Sequence, residues 1–290
     1  MAEITANLVK ELREMTGAGM MECKKALTEA EGDTEKAVDI LRTRGLAAAA
    51  KKAGRETNEG LIVAKIADDA LSAALVEVNC ETDFVSRNEV FAALADKVAG
   101  AVLEGCPADA EALLELTIGK DTIADLLTDG IHTIGENIQV SRFACLATDK
   151  GAFSSYIHGG GRLGILVQFS FDKPETTQAE TFKVVSRDIA MQVAAANPIA
   201  VSKESFDPEI IEKEMSIYKA QAAESGKPEN IQEQIAAGRL KKFYAENALV
   251  EQAFIKDPDR SVTQVLEAAS KELGDTISVV SFKRFGLGGL

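Results

Sequence analysis

Apolar residues recur at helical spacing from the start of the chain. Ile4, Leu8, Leu12 and Met15 mark one face of a first helix that Gly17 and Gly19 are expected to end. Met21, Ala26, Leu27 and Ala30 mark a second, stopped by Gly32. Asp33 then stands as the N-cap of a third, carrying Ala37, Ile40 and Leu41 and closing at Gly45. Ala47–Glu59, with Lys51, Lys52 and Arg55, reads as an Ala-rich helix end running into a polar linker. So small a three-helix unit buries little surface, which suits a docking module better than a catalytic domain.

Beyond Gly60 the period changes and the pattern repeats. Leu75-Val76-Glu77-Val78 matches Leu166-Val167-Gln168-Phe169 at an offset of 91 residues. The same offset pairs Gly60 with Gly151, Phe91 with Phe182, Leu94 with Val185, Val98 with Ile189 and Val102 with Val193. Each copy predicts two strands, with turns at Asp68-Asp69 and at Gly159–Gly161, followed by an amphipathic helix. Between the copies, helices are expected near Ala108–Leu116 and Thr122–Leu127, then a polar loop His132–Asn137 and a strand Ile138–Leu146. Asn197-Pro198 breaks the second copy's helix. Two charged helices, Glu209–Glu224 and Ile231–Ala245, are joined by Ser225–Pro228 and predict an antiparallel hairpin too charged for burial on all sides. A helix at Val262–Leu273, a strand at Ile277–Phe285 and a flexible Gly286–Leu290 tail complete the reading.

The fold class is therefore α+β: a small three-helix N-terminal domain, a core of two related hairpin-and-helix subdomains, and a protruding antiparallel coiled-coil hairpin. The expected divisions are 1–54 with a linker to about 59, 60–140, 141–200 with 246–290, and 201–245 for the hairpin.

Composition narrows the function. The 290 residues carry a formal net charge of −14, which repels phosphate backbones and leaves nucleic acid an unfavourable partner. That charge weighs against RNA binding through Lys24, Lys25, Lys51, Lys52 and Arg55. Cys23, Cys80, Cys106 and Cys145 are far apart with no Cys-x-x-Cys pair, so the expectation is four free thiols in a reducing cytoplasm and no zinc site. The Met-Ala-Glu-Ile-Thr start lacks a basic and apolar leader, and no apolar run reaches the roughly 20 residues that span a bilayer.

Candidate chemistry is sparse. Gly159-x-Gly161-x-x-Gly164 matches the dinucleotide fingerprint, and a dinucleotide-binding enzyme is the alternative reading. That fingerprint needs a helix after the glycines, but Ile165–Phe171 reads as a strand, so a hairpin turn is the better account. His132 and His158 are the two histidines, and neither stands beside a nucleophile pattern such as Gly-x-Ser-x-Gly. Of Met20 and Met21, helical spacing puts one in the core and leaves the other as an adaptable contact.

The sharpest feature is Thr82-Asp83-Phe84-Val85, between a strand ending at Val78–Asn79 and a helix beginning near Ser86 or Asn88. Thr82 and Asp83 can cap that helix, with Phe84 stapled onto Phe91 or Leu94. The other reading makes Phe84 an exposed anchor. Caps are the commoner device, yet at the 91-residue offset Phe84 maps to Glu175, so the scaffold does without an aromatic there.

Two long segments, Leu12–Leu27 (Leu-Arg-Glu-Met-Thr-Gly-Ala-Gly-Met-Met-Glu-Cys-Lys-Lys-Ala-Leu) and Glu77–Arg87 (Glu-Val-Asn-Cys-Glu-Thr-Asp-Phe-Val-Ser-Arg), resemble signatures of the bacterial elongation factor Ts family. The resemblance extends to His132–Ile138, Tyr156–Gly159 and Ser225–Pro228. It implies a protein that is not an enzyme and uses no cofactor or metal. It implies binding to elongation factor Tu·GDP and promotion of GDP release by disturbing the Mg²⁺ and phosphate site.

By the same resemblance, Thr82, Asp83, Phe84 and Val85 would meet the partner's GTPase domain, with Phe84 as a wedge. Arg13, Met20 and Met21 would press on a partner helix, and Ile134 and Gly135 would approach the phosphate-binding loop. His158 would belong to the second subdomain's contact face. Ile255 and Lys256 would form a further contact, at positions where some members carry Val-Met. The hairpin serves dimerisation in some members, and some add a C-terminal helix whose contacts are expected to be missing here.

Overall fold

The computed structural model describes residues 4–16, 18–224, 226 and 228–289. The Met1–Glu3 start, the stop at Gly17, the turn positions Ser225 and Lys227, and Leu290 lie outside the described residues.

The N-terminal helices are α1 (Ala6–Thr16), α2 (Met20–Glu29) and α3 (Thr34–Lys52). Their inward stripes, Val9 and Leu12, Cys23, Ala26 and Leu27, and Ala37 and Leu41, close a small core of their own. Asp33 caps α3 as expected, accepting from Lys36 N at 3.1 Å. Gly45 does not end α3, which runs on to Lys52. Gly45 instead lies buried inside the helix against α7, where a Cβ would stand in ordinary contact 3.5 Å from Thr128 Cγ2.

Next come β1 (Glu59–Ile66), β2 (Ser72–Cys80), the one-turn α4 (Asp83–Ser86) and α5 (Glu89–Gly105). After α6 (Ala110–Glu115), a short ladder of β3 (Thr117–Ile118) and β4 (Asp121–Thr122) leads to α7 (Ile123–Ile134) and β5 (Gln139–Ala147). The sequence then repeats the plan with β6 (Ala152–His158), β7 (Leu163–Ser170), a 3-10 turn Pro174–Gln178 and α8 (Glu180–Ala196). Helices α9 (Pro208–Ala223) and α10 (Glu229–Asn247) interrupt it. It resumes with β8 (Ala253–Phe254), β9 (Asp257–Ser261), α11 (Val262–Leu273) and β10 (Ser278–Gly286).

Helices α5 and α8 match end to end at the 91-residue offset, from Glu89 and Glu180. A second offset, 139 residues, relates α7 to α11 and β5 to β10. The mixture of helices with small antiparallel sheets bears out the α+β expectation.

The sheets run β1-β2-β5 and β10-β7-β6, all antiparallel. Strand β5 pairs with β2, so the first sheet continues past the expected division at residue 140. Period-2 alternation gives each central strand two faces. Ala74, Val76 and Val78 pack on Phe91, Leu94 and Val98 of α5, while Ile165, Val167 and Phe169 pack on α8 and α11. The opposite faces meet each other: Ile62, Ala73 and Leu75 pack on Phe153, Leu166 and Leu287. The layers are helices, sheet, sheet, helices, which explains why β2 is buried along almost its whole length.

That inter-sheet contact explains the glycine pattern. A Cβ on Gly161 would fall 2.5 Å from Leu61 Cδ2, and one on Gly164 would fall 2.4 Å from Ile62 Cγ2. The glycines are where one sheet's backbone presses on the other, and the strand β7, with Gly164 inside it, stands where a dinucleotide loop would place a helix. Nothing there meets the requirement of a dinucleotide loop.

Glu77, nearly fully buried between the sheets, is paired: Arg142 Nε donates to its Oε2 at 2.6 Å and Asn79 Nδ2 to its Oε1 at 3.1 Å. Arg142 also donates to the Gly286 carbonyl at 2.7 Å and lies 4.4 Å above the Phe285 ring. The tail expected to be flexible is instead fixed through Leu287, which is buried and donates its N–H to Arg162 O at 2.9 Å. Cys106 and Cys145 are joined by a disulfide between the end of α5 and β5, which corrects the expectation of four free thiols. Cys23 and Cys80 remain free and buried.

Candidate functional site

Strand β2 ends at Cys80, and two helices start in succession. Thr82 caps α4, its hydroxyl accepting from Val85 N at 3.4 Å, and Ser86 Oγ donates to Asp83 O at 3.0 Å. Asn88, and neither Thr82 nor Asp83, caps α5 by accepting from Val90 N at 2.8 Å. Asp83 lies inside α4 and pairs with Arg87 at 2.9 Å. Phe91 and Leu94 fill the core without help from Phe84, which is 83% exposed, so the staple reading falls. Val85 is the inward residue of the turn, packed against the first core.

An aromatic ring this exposed needs a rigid base to hold an orientation, and the adjoining loop supplies one. Glu136 Oε2 accepts from both Glu81 N and Thr82 N at 3.0 Å, while its Oε1 accepts from Thr82 Oγ at 2.6 Å. In return, Glu81 Oε1 accepts from Asn137 N at 2.6 Å. Arg55, in the linker from the N-terminal helices, pairs with Glu81 at 3.3 Å, and its carbonyl accepts from Asn137 Nδ2 at 3.0 Å. Cys80 lies beneath this knot, where burial and then the charge of Glu136 push its thiol up to about 12. That thiol is no nucleophile at neutral pH.

Ile134 and Gly135 stand at the junction of α7 with the same loop. His132, Thr133 and Ile134 are the last residues of α7, so the polar loop begins later than expected, at Gly135. Gly135 closes α7 in the left-handed region (φ 90°), its N–H donating to Ile131 O. His132 turns toward the N-terminal helices, its Nε2 lying 2.8 Å from Glu22 Oε2, although off the line of a hydrogen bond. Arg42 of α3 pairs with Asp125 of α7, which holds the Asp125 carboxyl below its ordinary value, and Lys52 Nζ donates to Ile131 O at 3.1 Å.

Met20 and Met21 are both exposed, at 50% and 64%, which corrects the assignment of one to the core. The buried face of α2 is Cys23, Ala26 and Leu27, and the two methionines overhang its first turn. Arg13 is exposed on α1.

The remaining residues lie on the second half. His158 ends β6, where the Tyr156 hydroxyl lies 2.9 Å from its Nδ1. Ile255 and Lys256 form the turn between β8 and β9 and are held by α8: Ile255 N donates to Gln192 Oε1 at 2.8 Å, and Lys256 Nζ reaches Asp188 at 2.6 Å.

The residue reading missed Glu81, Arg55, Glu136 and Asn137. For Glu136 the signal was the second offset: Ile134-Gly135-Glu136 matches Leu273-Gly274-Asp275 at 139 residues. Asp275 does in the second copy what Glu136 does in the first. It accepts from Asp172 N and Lys173 N at 3.0 Å and from Thr176 Oγ at 2.6 Å. Among the described residues no group of three or more His, Cys, Asp or Glu side chains is placed to hold a metal ion. No helix among them is long and apolar enough to cross a membrane. What the site offers is a protruding aromatic on a lashed turn, a means of gripping another surface.

The profile of the family described as Elongation factor TS matches residues 81–289. The chain is 46% identical over 288 residues to Elongation factor Ts of Clostridium botulinum (strain ATCC 19397 / Type A), covering 98% of this chain and 92% of that protein. It is 48% identical over 286 residues to Elongation factor Ts of Clostridium perfringens (strain SM101 / Type A), covering 98% and 93%. The protein of that name from Clostridium kluyveri (strain NBRC 12016) is 48% identical over 288 residues, with 98% and 93% covered.

Proposed function

The chain belongs to the elongation factor Ts family, and from that premise we propose that it binds elongation factor Tu·GDP and promotes GDP release, so that GTP can enter. It is a translation elongation factor and not an enzyme. The observation that carries the partner reading is Phe84, left 83% exposed on a turn whose backbone is fixed by the Glu136 carboxylate. Phe84 acts as the wedge toward the Mg²⁺ and phosphate site, flanked by Thr82, Asp83 and Val85 and by Ile134 and Gly135.

Arg13, Met20 and Met21 press on a partner helix from the N-terminal domain. His158, Ile255 and Lys256 make the further contact from the second subdomain. Helices α9 and α10 form a coiled-coil hairpin. Ile210 and Ile217, seven apart on one face of α9 and both partly exposed, support its use in homodimerisation. The setting is cytoplasmic, with neither nucleic acid nor membrane as a partner.

The thermodynamics are constrained. Such a factor accelerates release because it binds the nucleotide-free partner more tightly than the GDP-bound one, and by linkage GDP weakens its binding by the same factor. Full burial of a Phe contributes about 1.5–3 kcal/mol. With 83% of Phe84 still to be covered, some 1.2–2.5 kcal/mol remains for the complex, roughly one to two decades in an equilibrium. The test is Phe84→Ala, followed by release of a fluorescent GDP analogue from elongation factor Tu. Stimulation should fall by roughly 8- to 70-fold with an unchanged circular dichroism spectrum. Full retention of stimulation would remove the wedge.

A further inference from the structure

The two repeats build the strand-to-helix connection in the same way and then diverge. In both, the acidic residue after the glycine that closes a helix, Glu136 or Asp275, accepts two successive N–H groups just past the central strand and the nearest threonine hydroxyl. One such clamp satisfies the fold in each copy. Only the first copy adds the reverse bond, in which Glu81 accepts from Asn137 N at 2.6 Å. At the matching position of the second copy, Asp172 pairs with Lys150 at 2.5 Å, and Thr276 N is taken by Asp275 itself.

The extra tie therefore goes beyond what the fold requires. It sits where three segments meet: the turn bearing Phe84, the loop bearing Ile134 and Gly135, and the linker residue Arg55 that leads back to the N-terminal helices. Each of the two loops holds the other's backbone through a carboxylate, so neither can shift alone without breaking charge-assisted hydrogen bonds.

We infer that Glu81 and Glu136 form a reciprocal clamp that presents the Phe84 turn and the Ile134–Gly135 loop as one rigid unit, with Glu136 the positioning residue for nucleotide exchange. This rests on the exchange-factor reading above. Neither carboxylate needs to touch the partner; each acts through the backbone it holds. A free Phe84 turn would sample many orientations, and the partner would have to order it on binding.

The test has a structural and a functional arm, both on the full chain. In hydrogen–deuterium exchange, Glu136→Ala should lose protection at the amides of Glu81, Thr82 and Asn137, and Glu136→Gln, which keeps one acceptor oxygen, should lose part of it. Unchanged protection in Glu136→Ala would overturn the clamp. In stimulated GDP release at saturating factor, Glu136→Ala should lower the rate on the order of tenfold. It should lower it no further in a Phe84→Ala background, because it acts through that ring. An equal loss in both backgrounds would show a general loss of structure and overturn the positioning role.

Asp275→Asn, the matching lesion in the other repeat, separates fold from function: it should lower stability and leave the stimulated rate alone. A comparable rate loss there would also overturn the assignment. If Phe84→Ala proves fully active, the wedge and the functional half of the inference fall together. Loss of amide protection in Glu136→Ala would then still report the clamp.

Discussion

Gly164→Ala adds one methyl group where the two sheets meet, and the sign of its effect follows from two opposing terms. A Cβ there would lie 2.4 Å from Ile62 Cγ2, 3.0 Å from Leu75 Cδ1 and 3.2 Å from Ile157 Cδ1. Ile62 and Leu75 are buried between the sheets, so they have little room to give. Overpacking of this kind costs about 1–3 kcal/mol. Against it, replacing a strand glycine with alanine recovers about 0.5–1 kcal/mol of chain entropy. The clash should win, leaving a net loss of up to about 2.5 kcal/mol.

Urea unfolding followed by circular dichroism measures this as a lower midpoint with an unchanged slope. Ile62→Ala removes the obstructing Cγ2 at its own cavity cost of about 2–5 kcal/mol. In the double variant the added methyl should occupy part of that cavity, so the combined loss should be smaller than the two separate losses together. A neutral or stabilising Gly164→Ala, or strict additivity in the double variant, would refute the inter-sheet packing.

Two further outcomes can be measured. The Cys106–Cys145 bond spans 39 residues, including α6 and α7, and loop-closure entropy gives it about 4 kcal/mol of stabilisation. Cys106→Ser or reduction should therefore lower the unfolding midpoint, and thiol titration of unreduced, unfolded protein should find two free thiols; four would refute the pairing. Asp275 has a pKa lowered from 3.8 to about 2: its burial acts to raise it, but the Thr176 hydroxyl and the N–H groups of Asp172, Lys173 and Thr276 outweigh that. A depressed carboxylate stabilises the fold above its unfolded value and loses that contribution as pH falls through its folded one. The stability gap between the native chain and Asp275→Asn should therefore be full above pH 3.8 and close by about pH 2; a gap that persisted below would refute the assignment.

Local signals in the sequence were enough for the longer helices and the strands of the two sheets, though not for the one-turn α4, the β3–β4 and β8–β9 ladders or the full length of α7. The apolar stripes of α1 to α3, the 91-residue pairing of Leu75–Val78 with Leu166–Phe169, and the Asn197-Pro198 break are short-range statements about period, capping and backbone freedom, and each marks an element in the structure. Long-range decisions were not readable this way. Gly45 looks like a stop until α7 lies against it, and Gly286-Leu287 looks like a loose end until Leu287 enters the space between two sheets. Cys106 and Cys145 look like separate thiols until β5 joins β2 and brings them together.

The same division runs through the site. The sequence determined that Thr82 had the chemistry of a cap and that an aromatic stood where the repeat has Glu175, because both follow from residue type and spacing. It did not show that Thr82 caps the one-turn α4 and leaves α5 to Asn88. Only the tertiary structure decided that Phe84 faces outward and that a carboxylate 54 residues from Thr82 in the chain holds its turn. Burial and hydrogen bonding depend on which surfaces meet, and one-dimensional spacing carries no record of that meeting.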